Sequence, residues 1–440
     1  MTLLSCMLSL PLLAHDDDDR DGNHGHRRDT RPRIVPADAR NPYGKSFEEW
    51  TAAWWQWAVQ VPVTLIPFRD PTGELASHGQ SGPVWFLAGN NGGTTVRQAT
   101  VPEGKALFFP IMNLAWFQFT TDPPVTPECI ADNYSCIRDP IKGPQDNPRL
   151  LKCDIDGYPV QGLSNRRYFS VPFDLEMPDN NFVEQPAGLF TPNVDDGYYV
   201  MVRPLSRGRH VVHFEAINGS GEFVLDVTYH LTVAPAADVF PTHSHPFGRS
   251  YGEWAAKWWQ WAMSIPTDGH HPGQDETGAD ASRGQRGNVW FLTGVFNASG
   301  NVERSITVPY GKSLFFPMGN TECSTLEPAG GGFHGDNEAE LRDCAQGYHK
   351  RNSFCEIDGR PVEDLEEFHF TSPLFNFTVP FPNVLGTPAG SGQAVDDGIY
   401  VMVPPLRPGQ HTIHFGAFLS EFQFSQNITY HITVPSRHDR

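Results

Sequence analysis

Apolar residues recur at helical spacing in one tryptophan-rich stretch that occurs twice, at residues 46–62 and 250–266. The two copies read SFEEWTAAWWQWAVQVP and SYGEWAAKWWQWAMSIP. Apolar side chains three and four positions apart share one face of a helix, as is typical of a helix that packs on a core. Ser46 and Glu49 form a capping-box pattern, and Pro62 ends the helical pattern. Each copy therefore predicts one short amphipathic helix whose glutamate caps its first turn.

The pattern after each helix changes to that of β-strands. Two short apolar runs bounded by Gly and Pro follow in both copies, VWFL and then LFFP. Each copy ends in segments where Tyr, Val, Thr, Phe and Ile alternate with polar residues, which indicates antiparallel strands. The sequence NGSG at 218–221 predicts the turn of a hairpin in the first copy.

These elements predict the fold class and the domain organisation. The chain is expected to be mainly β, with two tandem homologous β-sandwich or jelly-roll-like domains that each begin with one short Trp-rich helix. Residues 1–14 are expected to form a signal-peptide-like stretch and residues 15–40 a disordered polar tail. Repeat 1 is expected at 41–235, a linker at 236–246, repeat 2 at 247–435 and a short tail at 436–440.

The middle of each repeat diverges, at residues 114–150 and 321–353, and is interpreted as a long surface loop. The cysteines expected to form disulfides, excluding Cys6, are Cys129, Cys136, Cys153, Cys323, Cys344 and Cys355. Six cysteines allow fifteen pairings, among which the sequence does not choose. Cys153 and Cys355 have matching surroundings, so either each bonds within its own domain or one bridge joins the two domains.

Charge and export signals limit the partners. The net charge of −19 argues against nucleic acid and anionic membrane, both of which need a basic surface. An even number of cysteines after a signal-like start predicts a secreted, cell-surface or periplasmic protein. No run approaches the length of a membrane span. The expected partner is an extracellular glycan or matrix component, and self-association is a further expectation.

Histidines recur in matching positions near the end of each repeat, as His210, His213, His230, His411, His414 and His431. A hairpin centred on NGSG sets His210 opposite Tyr229 and His213 opposite Asp226. Residues i and i+3 of a strand face opposite ways, so His210 and His213 cannot share one metal without a bulge. Structural pairing is the favoured interpretation, and a transition-metal site is the alternative.

Paired aspartates recur as Asp195 and Asp196 in repeat 1 and as Asp396 and Asp397 in repeat 2. The sequence DDG before a strand is favoured as a turn. The alternatives are a Ca²⁺ site and a carboxylate pair for glycoside hydrolysis. Arg97, with its counterpart Arg304, is expected on a solvated face or in an ion pair. Neither G-x-S-x-G nor H-E-x-x-H occurs, so the common hydrolase and metalloprotease signatures are absent.

Aromatic side chains complete the candidates. Trp55 and Trp259 lie at the edge of the helical stripe, and Trp116 and Phe117 lie in a divergent loop, so these four are the expected sugar-stacking residues. The sequence thus favours an extracellular or cell-surface binding module, with carbohydrate as ligand. The alternatives are a polysaccharide-active hydrolase that uses the turn carboxylates and a structural module of an envelope or fibre.

Overall fold

The computed structural model describes residues 31–296, 300–348, 350–419 and 424–436, without the side chains of residues 350 and 351. The predicted signal segment 1–14 and the predicted tail up to residue 30 lie outside the described residues. Residues 31–40, assigned from the sequence to a disordered tail, are part of the described structure. Val35 is buried and donates its backbone N–H to the Met201 carbonyl at 2.9 Å.

The strands follow the same order in both halves, with one helix before the first strand and helical segments after the third. The helices of repeat 1 are α1 Phe47–Val59, α2 Pro127–Ala131 and α3 Ser135–Gln145. Its strands are β1 Val84–Phe86, β2 Gly93–Pro102, β3 Ala106–Trp116, β4 Leu150–Ile155, β5 Tyr158–Pro159, β6 Arg167–Phe169, β7 Phe173–Met177, β8 Gly188–Val202, β9 Gly208–Ile217 and β10 Val224–Ala234.

Repeat 2 follows the same plan, with one helix fewer in its divergent segment. Its helices are α4 Tyr251–Met263 and α5 Glu338–Gln346. Its strands are β11 Val289–Phe291, β12 Gly300–Thr307, β13 Ser313–Ser324, β14 Lys350–Ile357, β15 Arg360–Pro361, β16 His369–Thr371, β17 Phe375–Val379, β18 Gly390–Val403, β19 Gly409–Leu419 and β20 Phe424–Val434.

The described strands form four five-stranded mixed sheets, two in each repeat. In repeat 1 the orders are β1-β3-β8-β6, with β7 also paired to β8, and β2-β10-β9-β4-β5. The β1–β3 and β2–β10 pairs are parallel, and repeat 2 reproduces this arrangement. The mainly β class and the two similar halves are confirmed. The sheets are arranged like the blades of a four-bladed propeller ring rather than as two separate sandwiches.

The predicted helix is confirmed in both copies. Ser46 Oγ accepts the Glu49 N–H at 3.2 Å, and the Glu49 carboxylate accepts the Ser46 N–H at 2.7 Å, which completes the capping box. Trp54 is buried and donates its indole N–H to the Leu87 carbonyl at 2.9 Å. Phe47 stacks on Tyr168 of β6 at 4.5 Å. The helix therefore covers one face of the β1-β3-β8-β6 sheet.

The other face of that sheet packs on the second sheet of the repeat. Phe109 of β3 stacks on Phe214 of β9 at 5.0 Å. Arg97 is buried against this core, not solvated as expected. Its guanidinium donates to the carbonyls of Asp70, Ala88 and Gly89 and to the Tyr229 hydroxyl. Arg304 repeats the arrangement with Tyr430 at 2.9 Å.

Two local predictions need correction. The β9–β10 hairpin forms, but β9 ends at Ile217 and β10 begins at Val224, so the loop is two residues longer than NGSG. His213 therefore lies opposite Thr228 rather than Asp226, and His210 opposite Leu231 rather than Tyr229. The divergent segments are not simple loops, because they hold α2, α3 and α5.

The two repeats contact each other through a loop of repeat 1. The His78 ring stacks on Phe354 of β14 at 3.8 Å and 7°. Gly79 donates its N–H to the Ser353 carbonyl at 3.2 Å, and Lys105 forms an ion pair with Asp364 at 3.2 Å. The predicted linker is also attached to repeat 2, because Ala237 donates its N–H to the Pro361 carbonyl.

Candidate functional site

The paired aspartates lie inside β8 and β18, not in turns as the sequence suggested. Asp195 is fully buried and accepts the Trp55 indole N–H at 2.7 Å and the Tyr199 hydroxyl at 2.9 Å. Asn113 donates to the same Tyr199 hydroxyl at 2.9 Å. Burial raises the pKa of Asp195 well above its usual range, against side-chain hydrogen bonds, those of Trp55 and Tyr199 foremost, that lower it.

Repeat 2 contains the same network. Asp396 accepts the Trp259 indole N–H at 2.6 Å and the Tyr400 hydroxyl at 2.7 Å, and Asn320 donates to that hydroxyl at 2.8 Å. The Ser372 hydroxyl oxygen accepts the Asp396 backbone N–H at 2.9 Å. These contacts anchor helix to sheet in both repeats, so the buried aspartates have a structural role that their sequence context did not indicate.

The neighbouring aspartates differ between the repeats. Asp196 accepts two hydrogen bonds from Arg167, at 2.8 and 2.6 Å. Asp397 instead contacts His369 at 2.5 Å and Thr371 at 2.7 Å. Asp196 and Asp397 are buried, and the geometry offers a polymer no direct access to either carboxylate. The four aspartates thus hold side chains of their own repeat: Trp55 and Arg167 in repeat 1, and Trp259 and His369 in repeat 2.

The four predicted sugar-stacking aromatics do not share one surface. Trp55 and Trp259 are buried and hold the aspartates. Phe117 packs on Trp55 edge to face at 5.3 Å. Trp116 packs against a small cluster with Ile137 of α3. Of the four, Trp259 lines a cavity.

That cavity lies in repeat 2 and has a volume of about 680 Å³. Its wall includes the aromatic side chains of Trp258, Trp259, Phe296 and Phe333. Its polar groups come from Asn320, Thr321, Glu322, Glu327 and Gln426. The volume falls in the range of small-molecule sites, and the walls combine aromatic side chains with about as much polar surface.

Glu322 is the distinctive residue of the cavity. It is 6% exposed, and its Oε1 has no hydrogen-bond partner among the described residues. Burial raises the pKa of Glu322 well above its usual range, and the nearby Glu327 and Asp396 raise it further, against the Ser324 hydroxyl, which lowers it. A neutral carboxyl of this kind can donate a hydrogen bond as well as accept one.

Repeat 1 has no acid at this position. Glu322 lies opposite Asp396 in the strand register, and the residue opposite Asp195 in repeat 1 is Ala115. Glu322 is absent from a comparison of the two copies that selects recurring polar residues, because only repeat 2 carries it. The sequence signal that could have identified Glu322 is a carboxylate among the buried positions of β13.

A second, larger cavity of about 790 Å³ lies between the repeats, lined by residues that include Trp50, Trp57, Glu366 and His369. It contains no buried ionisable group without a partner among the described residues. Asn352, whose Nδ2 is unpartnered, lines it and adjoins the backbone that joins the repeats. We therefore treat this cavity as a consequence of how the repeats meet.

The predicted metal-binding histidines separate into distinct environments. His210 contacts Asp156 at 2.7 Å, and His411 contacts Asp358 at 2.8 Å, so both fasten the tip of the neighbouring hairpin. His230 and His431 are exposed at other strand positions. His213 adjoins several carboxylates, whereas its counterpart His414 contacts the Asn427 amide oxygen at 2.5 Å.

Disulfides join the cysteines of each divergent segment, Cys129 to Cys136 and Cys323 to Cys344. Cys153 and Cys355, also expected in disulfides, are free and buried on β4 and β14. Burial raises the pKa of both thiols above its usual range, which keeps them unreactive. The two disulfides indicate folding in an oxidising environment. No helix in the described ranges is long and apolar enough to span a membrane.

Comparison with known proteins gives no family. No protein-family model matches the chain, and no curated protein matches it. Among solved structures, PbICP-C in complex with falcipain-2 is 14% identical with a TM-score of 0.15, and covers 34% of this chain and 99% of its own. Titin domains z1z2 in complex with telethonin are 10% identical with a TM-score of 0.12, over 77% and 92%. Similarity at this level carries no argument about function.

Proposed function

We propose that this protein is an exported binding protein and that its ligand, a neutral carbohydrate, occupies the cavity of repeat 2. The observation that carries the proposal is Glu322, a buried carboxyl with an unpartnered oxygen that lines an aromatic cavity. An unpaired buried polar group costs about 1–3 kcal/mol, and a ligand hydroxyl that pairs with it removes this cost. The two disulfides support export.

Carbohydrate fits both kinds of surface in the cavity. The apolar face of a sugar ring packs on an aromatic side chain such as Phe296 or Phe333. Its hydroxyls pair with polar groups that have no partner among the described residues, here the Glu322 carboxyl and the Thr321 hydroxyl. The raised pKa of Glu322 leaves the cavity with less charge, which favours a neutral ligand.

Titration of the purified protein with neutral oligosaccharides by calorimetry tests the proposal. We expect Glu322→Ala to weaken binding about tenfold or more, since the ligand loses a buried hydrogen bond. Glu322→Gln retains a donor and an acceptor, so it should keep most of the affinity. Glu128→Ala, at an exposed glutamate of repeat 1, is the matched control and should bind normally. Equal affinity of Glu322→Ala and the wild type would remove the cavity as the ligand site.

Glycoside hydrolysis is the second candidate, because a carboxyl with a raised pKa is the kind of group that protonates a leaving oxygen. Glu322 would be that acid, with Glu327 as the other carboxyl of the cavity. The glutamine variant separates the two functions. If the protein releases reducing ends and Glu322→Gln abolishes release while still binding, the protein is an enzyme. Binding without release supports the binding protein.

A further inference from the structure

A polar cluster that the cavity does not use lies on the second sheet of repeat 1. His213 Nε2 is 3.0 Å from an oxygen of Asp226 and 3.3 Å from an oxygen of Glu215. One ligand atom from each of these three residues lies within 4.8 Å of the other two. The side chains are 21%, 36% and 27% exposed, so an ion and its water can reach them.

The sheet itself brings the three side chains together. His213 and Glu215 are two positions apart on β9 and face the same way, since side chains alternate along a strand. Asp226 of β10 is directly opposite Glu215 in the strand register. Asp154 of β4 is directly opposite His213. Their separation is therefore fixed by three hydrogen-bonded strands rather than by a loop.

We propose that His213, Glu215 and Asp226 bind one divalent metal ion of the class that Zn²⁺ represents. With an ion on Nε2, the imidazole proton is on Nδ1, from which it is donated to Asp154 at 3.1 Å. This carboxylate–histidine arrangement is the one that orients imidazole ligands in metal sites. One imidazole and two carboxylates leave a coordination position for water.

Lys152 is the natural competitor of the ion. Its ammonium group pairs with Glu215 Oε1, the atom that contacts His213. A bound divalent ion must displace this cation, because two positive groups cannot share one carboxylate oxygen without repulsion. The lysine is 49% exposed, and its flexible side chain can move into solvent. Its removal should therefore strengthen metal binding.

Repeat 2 provides a matched site without the two carboxylate ligands. His414 corresponds to His213 and Glu356 to Asp154, but Gly416 replaces Glu215 and Asn427 replaces Asp226. Gly416 cannot be restored to an acid, because an added Cβ would lie 2.0 Å from the Gln426 carbonyl oxygen. The proposal consequently assigns metal to repeat 1 alone.

The test is titration of the full chain with ZnCl₂ by calorimetry, with Co²⁺ absorption as a second measure. The wild type should show a site that Asp226→Asn and Glu215→Gln each weaken at least tenfold. Asp154→Asn should weaken it 10- to 100-fold, as loss of an orienting partner does. Lys152→Gln should bind more tightly. His414→Ala should bind like the wild type.

Thermal melting without added metal shows whether each variant folds. Asp226→Asn is the mildest of these changes, because repeat 2 already has asparagine at the matching position, Asn427. The proposal is overturned if the wild type binds no ion beyond the background of an Asp226→Asn, Glu215→Gln double variant. It is also overturned if Lys152→Gln weakens binding or if His414→Ala removes the same site. These outcomes are independent of the cavity in repeat 2.

Discussion

Asp195 shows how one buried carboxyl can join a helix to a sheet. The Trp55 indole and the Tyr199 hydroxyl both donate to it, and both donors are buried with it. Replacement of the acid leaves two buried donors without an acceptor, and each unpaired buried donor lowers the free energy of unfolding by its full desolvation cost. Repeat 2 has the same constellation around Asp396, so the effect can be measured twice in one molecule.

We expect Asp195→Ala to lower the free energy of unfolding by about 3 kcal/mol, and Asp195→Asn by about 1 kcal/mol, because the amide retains an acceptor. The raised pKa of Asp195 adds a pH dependence. The pKa of Asp195 is higher in the folded state than the unfolded value near 3.8, so the protonated carboxyl stabilises the fold fully at pH values below 3.8. This contribution is lost as the pH rises through the folded-state pKa. The stability difference between wild type and Asp195→Asn should therefore shrink with rising pH in urea titrations. A constant difference from pH 4 to pH 8 would contradict the assignment.

At the scale of elements, the close pairing of β3 with β8 depends on a glycine. Gly197 lies opposite Asn113, the residue that donates to Tyr199. A Cβ on Gly197 would lie 2.5 Å from the Asn113 Cβ and 2.8 Å from the Met112 carbonyl oxygen. Gly398 opposite Asn320 reproduces the contact in repeat 2. Glycine at both places lets the two strands bring their network partners together.

Gly197→Ala and Gly398→Ala should each lower the free energy of unfolding by about 1–3 kcal/mol, the usual cost of overpacking. Gly300→Ala is the control, because Gly300 is exposed at the start of β12 and a Cβ there meets nothing within 4 Å. Alanine there should leave the free energy of unfolding unchanged or raise it by up to about 1 kcal/mol. Thermal melts of the three variants provide the comparison, and a neutral Gly197→Ala would show that the strands can separate without cost.

What the sequence could predict follows from how local each signal is. The helix at Phe47–Val59 was predictable because its cap, its apolar stripe and its final proline are all within seventeen residues. The helix Ser135–Gln145 was not, because Pro140 and Pro144 lie inside it and oppose the helical pattern. The hairpin register failed by two residues because its loop extends past the turn motif to Phe223.

The candidate site was less predictable than the fold. The recurrence of Trp55 and Asp195 in both repeats was visible, but their contact joins residues 140 positions apart. Glu322 carried no motif, and its meaning depends on burial and on a cavity formed by distant segments. Sequence comparison of the two halves identifies such a residue only when a difference is given the same weight as a match.

At the scale of the whole molecule, the two repeats are joined around His78. Burial lowers the pKa of His78 to about 3, and the nearby His414 lowers it as well. The ring is therefore neutral while it stacks on Phe354. The junction also includes the Lys105–Asp364 ion pair, which holds the adjoining strand segments.

Acid should weaken this junction. The pKa of His78 is lower in the folded state than the unfolded value near 6.5, so the neutral ring stabilises the fold fully at pH values above 6.5. This contribution is lost as the pH falls toward 3. We expect His78→Phe, which keeps the stacking but cannot be protonated, to reduce the loss of melting temperature between pH 7 and pH 4. Calorimetric scans at both pH values test this, with His230→Phe at an exposed site as control. An equal loss in His78→Phe and wild type would assign the acid sensitivity to other groups.

The junction also shows that the two repeats are no longer interchangeable. The positions that match its two rings do not carry rings, because Arg283 stands where repeat 1 has His78 and Lys152 where repeat 2 has Phe354. Each of these two cations instead forms an ion pair within its own repeat, Arg283 with Asp268 and Lys152 with Glu215. A chain with the two repeats in the opposite order would therefore bring an arginine towards a lysine where this chain stacks one ring on another.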